Sequence, residues 1–94
     1  MTEENNSKKI KVLIADSNPD TLRNTSRLLS FEPRIEVVAL APNGQEALDF
    51  TKIHQPDVII AERVLPIIDG IELAGHINAL DLRNAVIITS TVSE

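Results

Sequence analysis

The sequence predicts an α/β fold: a doubly wound parallel sheet in which short apolar strands alternate with amphipathic helices. Three observations carry this. Runs such as Val58-Ile59-Ile60-Ala61 are continuously apolar and β-branched, as strands buried on both faces must be. Between them lie helix-length stretches that open on Asn or Asp. The core must also be aliphatic, because Phe31 and Phe50 are the only aromatic residues, and Val, Ile, Leu and Ala suit helices packed on a sheet. The resulting order is βαβαβαβ, with connections that suit right-handed crossovers.

The elements follow in order. Met1 to Lys8 are polar and aperiodic and read as a disordered arm, which leaves 9–94 as the domain. Ile10, Val12, Leu13, Ile14 and Ala15 form the first strand, which ends at Asp16-Ser17-Asn18-Pro19. Asn18 suits a helix cap, Pro19 the first helical position and Asp20 the positive helix end. Leu22, Thr25, Leu28 and Leu29 are expected on the buried face of that helix, which stops near Phe31-Glu32-Pro33.

Ile35, Val37, Val38, Leu40 and Ala41 give the second strand. Pro42-Asn43-Gly44 then leads into a helix carrying Ala47, Leu48, Phe50 and Ile53. Pro56-Asp57 precedes the third strand, Val58 to Ala61, and Glu62 to Pro66 follow as a loop. Asp69-Gly70 opens a third helix through Ile71, Leu73, Ala74 and Ile77. Ala85 to Thr89 form the fourth strand.

Composition removes several function classes. With 94 residues the chain holds one domain, and a domain of this size buries only about 60–65% of its unfolded surface, so its stability margin is thin. Hydrophobic residues at 43% and charged ones at 24% place it among folded globular chains. A net charge of −5 without clustered Lys and Arg argues against direct nucleic-acid binding. There are no cysteines, so disulfides and thiolate metal sites are excluded. No run is long enough to span a bilayer and the N-terminus has no apolar signal region, so the expected location is cytoplasmic.

In a parallel sheet the ligand crevice lies beyond the carboxyl ends of the strands. Asp16 closes the first strand, Glu62 the third, and Ser90 follows the fourth. Each alone is an ordinary turn, cap or loop residue; together they place three oxygen-bearing side chains at one edge. His54 and His76 have no metal-like spacing and read as surface histidines. No nucleophile elbow, phosphate-cradling glycine loop or zinc pattern is present.

The segments Val12-Leu13-Ile14-Ala15-Asp16-Ser17, Pro56-Asp57-Val58-Ile59-Ile60-Ala61-Glu62 and Leu65-Pro66-Ile67-Ile68-Asp69-Gly70 resemble, in register, the CheY-like receiver domains of two-component response regulators. Asn43-Gly44-Gln45-Glu46-Ala47-Leu48 matches the second helix of that pattern. The Lys9 to Leu48 stretch looks most like regulators of sporulating or pilus-assembling bacteria, including the sporulation stage-zero response regulator. The resemblance implies a flavodoxin-like sheet of strand order 2-1-3-4, with the fifth strand of a complete receiver missing.

It also implies a set of site residues. Receivers carry an acidic pair after the first strand, here Asp16 and Ser17, and a phosphoaccepting aspartate after the third, here Glu62. The switch hydroxyl falls on Ser90, the backbone carbonyl of Val64 is a further metal ligand, and the lysine after the fifth strand has no counterpart. Mg²⁺ is hard and prefers carboxylate oxygens, so Ser17 in place of an acid leaves only weak Mg²⁺ binding through Asp16, Glu62 and Val64. The extra methylene of Glu62 moves its oxygen by about a bond length, and a misplacement of about 1 Å can cost on the order of 100-fold in rate. A missing lysine removes charge stabilisation as well. Glu62 can instead act as a fixed charge that loosely imitates a phosphorylated state, with Ser90 responding.

The expected function is therefore a pseudo-receiver that is not an enzyme, requires no cofactor, and regulates a two-component pathway or phosphorelay by phosphorylation-independent contact. Its partner is a kinase, a phosphotransfer protein, a response regulator or a second copy. Two alternatives stay open: an N-terminal fragment of an ordinary phosphoaccepting regulator, and an assembly domain that uses strand four. With that strand at the edge, Ala85, Val86, Ile87, Ile88 and Thr89 form an apolar interface suited to a homodimer.

Overall fold

The structure, a computed structural model, describes residues 8–90. Most of the expected arm therefore lies outside the described residues, and Lys8 is exposed and in neither helix nor strand. The order is β1 (Ile10–Ala15), α1 (Pro19–Leu29), β2 (Ile35–Ala41), α2 (Gly44–His54), β3 (Val58–Glu62), α3 (Gly70–Ala79) and β4 (Ala85–Thr89). All pairings are parallel and the strand order is β2-β1-β3-β4, as expected.

Alternation along the central strands splits the core into two layers, because successive strand side chains point to opposite faces. Leu13 and Ala15 of β1 with Ile59 and Ala61 of β3 pack against Ala47 and Leu48 of α2 and Leu73 and Ile77 of α3. Val12 and Ile14 face the other way and meet Leu22 of α1. That second layer reaches the half-buried Val58 and Ile60 of β3. Both faces of β1 are covered from Val12 to Ala15, which is why that stretch is continuously apolar rather than alternating.

Each helix begins on a side-chain acceptor. Asn18 Oδ1 accepts from the Asp20 N–H at 2.8 Å, and Asn43 Oδ1 from the Glu46 N–H at 2.8 Å. Asp69 and Glu72 form a reciprocal capping box at the start of α3. These caps fix where each chain segment leaves its strand, and so where the strand-end loops lie.

The expected grouping of Leu28 with Leu22 and Leu29 on one face is corrected, and two further helix residues stand outside the core. Leu28 is 70% exposed, and Ile53 and Ile71 are also exposed. On a helix with residues about 100° apart, Leu29 returns to the face of Leu22 after seven residues, whereas Leu28 points well away. In α2 the inward position is taken by Thr51, whose hydroxyl is satisfied by the Ala47 carbonyl at 2.7 Å. In α3, Leu73 and Ile77 fill the inner face at i, i+4 spacing and leave Ile71 outside. The β1–β2 register also shifts between Val12 and Leu13, passing over Val38. Among the described residues no helix is long and apolar enough to cross a membrane.

Candidate functional site

The site is assembled where β1, β3 and β4 end. Ala15 and Ala61 are register partners on β1 and β3, and Glu62 pairs with Thr89 on β4. Asp16, one residue beyond β1, donates its N–H to the Ala41 carbonyl at 3.0 Å. Its side chain turns back locally: Asp16 Oδ1 accepts from the Asn18 N–H at 2.9 Å, an Asx turn that leads into α1.

Ser17 reaches the other way, to β3. Its backbone N–H and its hydroxyl both donate to Oε1 of Glu62, each at 3.3 Å. Bonds of this length are weak singly but restrain one oxygen from two sides. The loop after β3 is fastened too. Arg63 donates its N–H to the Thr89 carbonyl at 2.7 Å, and its own carbonyl accepts the Gly70 N–H at 2.8 Å. The Pro66 carbonyl accepts from Ile68 at 2.8 Å and from Gly44 at 3.1 Å, tying the loop to the start of α2.

Asp16 and Glu62 are half-buried, while Ser17, Val64 and Ser90 are exposed. The fold brings Ser17 and Glu62 together. No hydrogen bond joins Ser90 to Glu62 or to Asp16 among the described residues; Ser90 stands one position beyond Thr89, the register partner of Glu62. The sequence reading treats Ser17 only as a lost charge and misses that it is a donor to Glu62. The available signal was register: residues just past neighbouring parallel strands lie side by side.

Asp16 and Glu62 are the carboxylates that the ends of β1 and β3 offer a hard divalent cation, with Ser17 neutral beside them. One oxygen of Asp16 is held by Asn18 and one of Glu62 by Ser17. Among the described residues no group of three or more His, Cys, Asp or Glu is placed to hold a metal ion. Two concavities lie elsewhere: one of about 490 Å³ beside Lys9, Lys11 and Asp57 at the strand starts, and one of about 450 Å³ between α3 and β4. Neither is lined by Asp16, Ser17, Glu62 or Ser90.

Comparison with known proteins gives a consistent picture. Residues 12–94 match the response regulator receiver domain. The chain is 34% identical over 86 residues to a protein-glutamate methylesterase/protein-glutamine glutaminase of Halalkalibacterium halodurans, covering 92% of this chain and 25% of that protein. It is 41% identical over 68 residues to the enzyme of that name from the group 1 operon of Pseudomonas putida, covering 72% and 18%. The chain thus spans a quarter or less of these curated relatives. Among solved structures it resembles the signal receiver domain of the response regulator NarL from Mycobacterium tuberculosis, with a TM-score of 0.87 and 30% identity over 93% of this chain and 70% of that one. The response regulator domain of Thermotoga maritima CheB aligns with a TM-score of 0.83 and 28% identity, over 93% and 64%. The expected likeness to sporulation regulators finds no support in these relatives.

Proposed function

The chain belongs to the response regulator receiver domain family, and on that premise we propose that it is a pseudo-receiver, signalling by protein contact without being phosphorylated. The observation that carries this reading is the pair at the acceptor position. A glutamate stands there, and its Oε1 is engaged by the N–H and hydroxyl of Ser17, where the family pattern has an acid. The strand-end pocket holds a negative charge on Glu62 and lacks the second acid of the pair after β1, so cation binding is weak and not required. The chain catalyses no reaction of its own and works in the cytoplasm.

Its contacts are with a kinase, a phosphotransfer protein or another response regulator. Contact with another protein is seen in a solved structure that resembles this chain at 26% identity and a TM-score of 0.81, the CheX-CheY-BeF3-Mg²⁺ complex of Borrelia burgdorferi. Incubation with acetyl phosphate and Mg²⁺ followed by intact mass tests the reading. The expected result is no adduct; a stoichiometric phosphoryl adduct that disappears in Glu62→Gln overturns it.

Two further readings each have one observation in their favour. The relatives of which this chain spans 18% and 25% favour a receiver portion of a longer phosphoaccepting regulator, and the same mass experiment decides that case. Self-association through β4 is favoured by its place at the sheet edge among the described residues, with Ile87 50% exposed on it.

A further inference from the structure

We infer that Ser17 sets the state of the strand-end pocket: it gives Glu62 from the protein itself the positive partners that a divalent cation would give, so the pocket is complete without metal, and one carboxylate at position 17 reverses this. The inference deepens the pseudo-receiver reading and rests on it.

The Ser17 N–H and hydroxyl converge on the same oxygen, Oε1 of Glu62, at 3.3 Å each. Both present the positive ends of their dipoles to the space a cation would need in order to reach that oxygen. A cation at that oxygen would compete with both donors and sit close to their positive ends. Oδ1 of Asp16 is likewise engaged, by Asn18 at 2.9 Å, so a cation is left with the second oxygen of each acid. The start of α1 adds to the effect: Pro19 is its first residue, so the positive end of the helix lies just beyond Asp16 and Ser17. That end favours carboxylates and repels cations. The two departures from the family pattern, a neutral residue at 17 and a longer acid at 62, therefore compensate each other across the β1–β3 boundary.

A consequence separates this inference from simple imitation of a phosphoryl group. The pair of bonds holds Oε1 of Glu62 at the β1 side, toward Ser17, while exposed Ser90 follows β4 and has no bond to it. Glu62 is thus a partner of the β1–α1 loop rather than a lure for Ser90. The residue that governs its position is Ser17.

Cation binding by the full chain tests this, with Mn²⁺ as the paramagnetic probe and Mg²⁺ as competitor, followed by electron paramagnetic resonance and thermal unfolding. Wild type should show no saturable site in the millimolar range. Ser17→Asp, which brings a third carboxylate beside Asp16 and Glu62, should bind with roughly tenfold or greater gain in affinity and should unfold at higher temperature when the cation is present. Saturable wild-type binding that Glu62→Gln abolishes overturns the inference, as does a folded Ser17→Asp chain that binds no better than wild type. If Ser17→Asp does not fold with or without cation, Ser17→Ala decides. A shift of the Glu62 side-chain carboxyl carbon in its NMR spectrum supports the inference, and an unmoved signal overturns it. A phosphoryl adduct on wild type would sink the functional reading, whereas metal binding without an adduct would sink only this one.

Discussion

Gly70 lies directly against the backbone of Glu62: a Cβ at Gly70 would stand 2.5 Å from the Glu62 carbonyl oxygen and 2.9 Å from the Cα of Arg63. Both neighbours are main chain, so no side chain can swing aside. The start of α3 and the end of β3 can approach this closely only without a side chain between them, and that approach sets the path of the loop that follows Glu62.

Gly70→Ala should therefore destabilise the chain by about 1–3 kcal/mol, the usual range for forcing an extra carbon into a packed site. Gly75, in the same helix, has nothing within 4 Å of its hypothetical Cβ. Gly75→Ala should stabilise by about 0.5–1 kcal/mol through helix propensity alone. Urea unfolding of the two variants side by side gives shifts of opposite sign if the close approach is the cause.

Ile67 is the residue to relieve. Its φ of 73° places a β-branched side chain in the left-handed region, inside a tight turn closed by the Ile68 N–H donating to the Pro66 carbonyl at 2.8 Å. The side chain is 73% exposed, so little packing compensates the strain. Ile67→Asn, which tolerates this conformation, should raise stability by about 1 kcal/mol. An unchanged urea midpoint would argue that the turn is unstrained.

The capping box of α3 should be visible in stability. Asp69 Oδ1 accepts the Glu72 N–H at 2.9 Å, and Glu72 Oε1 receives the Asp69 N–H at 3.4 Å. The first bond is short and the second long, so Asp69→Ala should cost about 1 kcal/mol and Glu72→Ala distinctly less. Chemical denaturation of the two single variants checks the ranking, and a reversed order would count against it.

The edge of β4 makes the last prediction. Ile87 is half exposed, and its register partner Ile60 is only half-buried. If copies pair along this edge, Ile87→Lys should abolish association in sedimentation at micromolar concentration while leaving the circular dichroism spectrum intact. Leu13→Ala, by contrast, removes a fully buried side chain and should cost about 2–5 kcal/mol of stability. A wild-type chain that sediments as a monomer removes the self-pairing reading.

Much of this molecule is readable from local pattern. β4 runs from Ala85 to Thr89 as expected, and the Asn18, Asn43 and Asp69 caps stand at the helix starts where Asn-Pro, Asn-Gly and Asp-Gly mark them. Such signals are local because a cap or a strand run is decided by residues within one turn of each other. The burial of individual apolar residues is less legible. Leu28, Ile53 and Ile71 are as apolar as their buried neighbours, and only the direction in which each helix meets the sheet separates them.

Asp16 and Glu62 could be placed at one edge of the sheet from the chain alone, since strand alternation and parallel order put the carboxyl ends together. Which atoms meet there could not. Ser17 and Glu62 are 45 positions apart, and their bonds exist because β1 and β3 are neighbours with Ala15 level with Ala61. Likewise, the need for glycine at position 70 comes from the backbone of Glu62 and Arg63 pressing against it. The type and order of the elements come from interactions between near neighbours in the chain. The state of the site depends on contacts between distant segments, and those contacts form only when the sheet does.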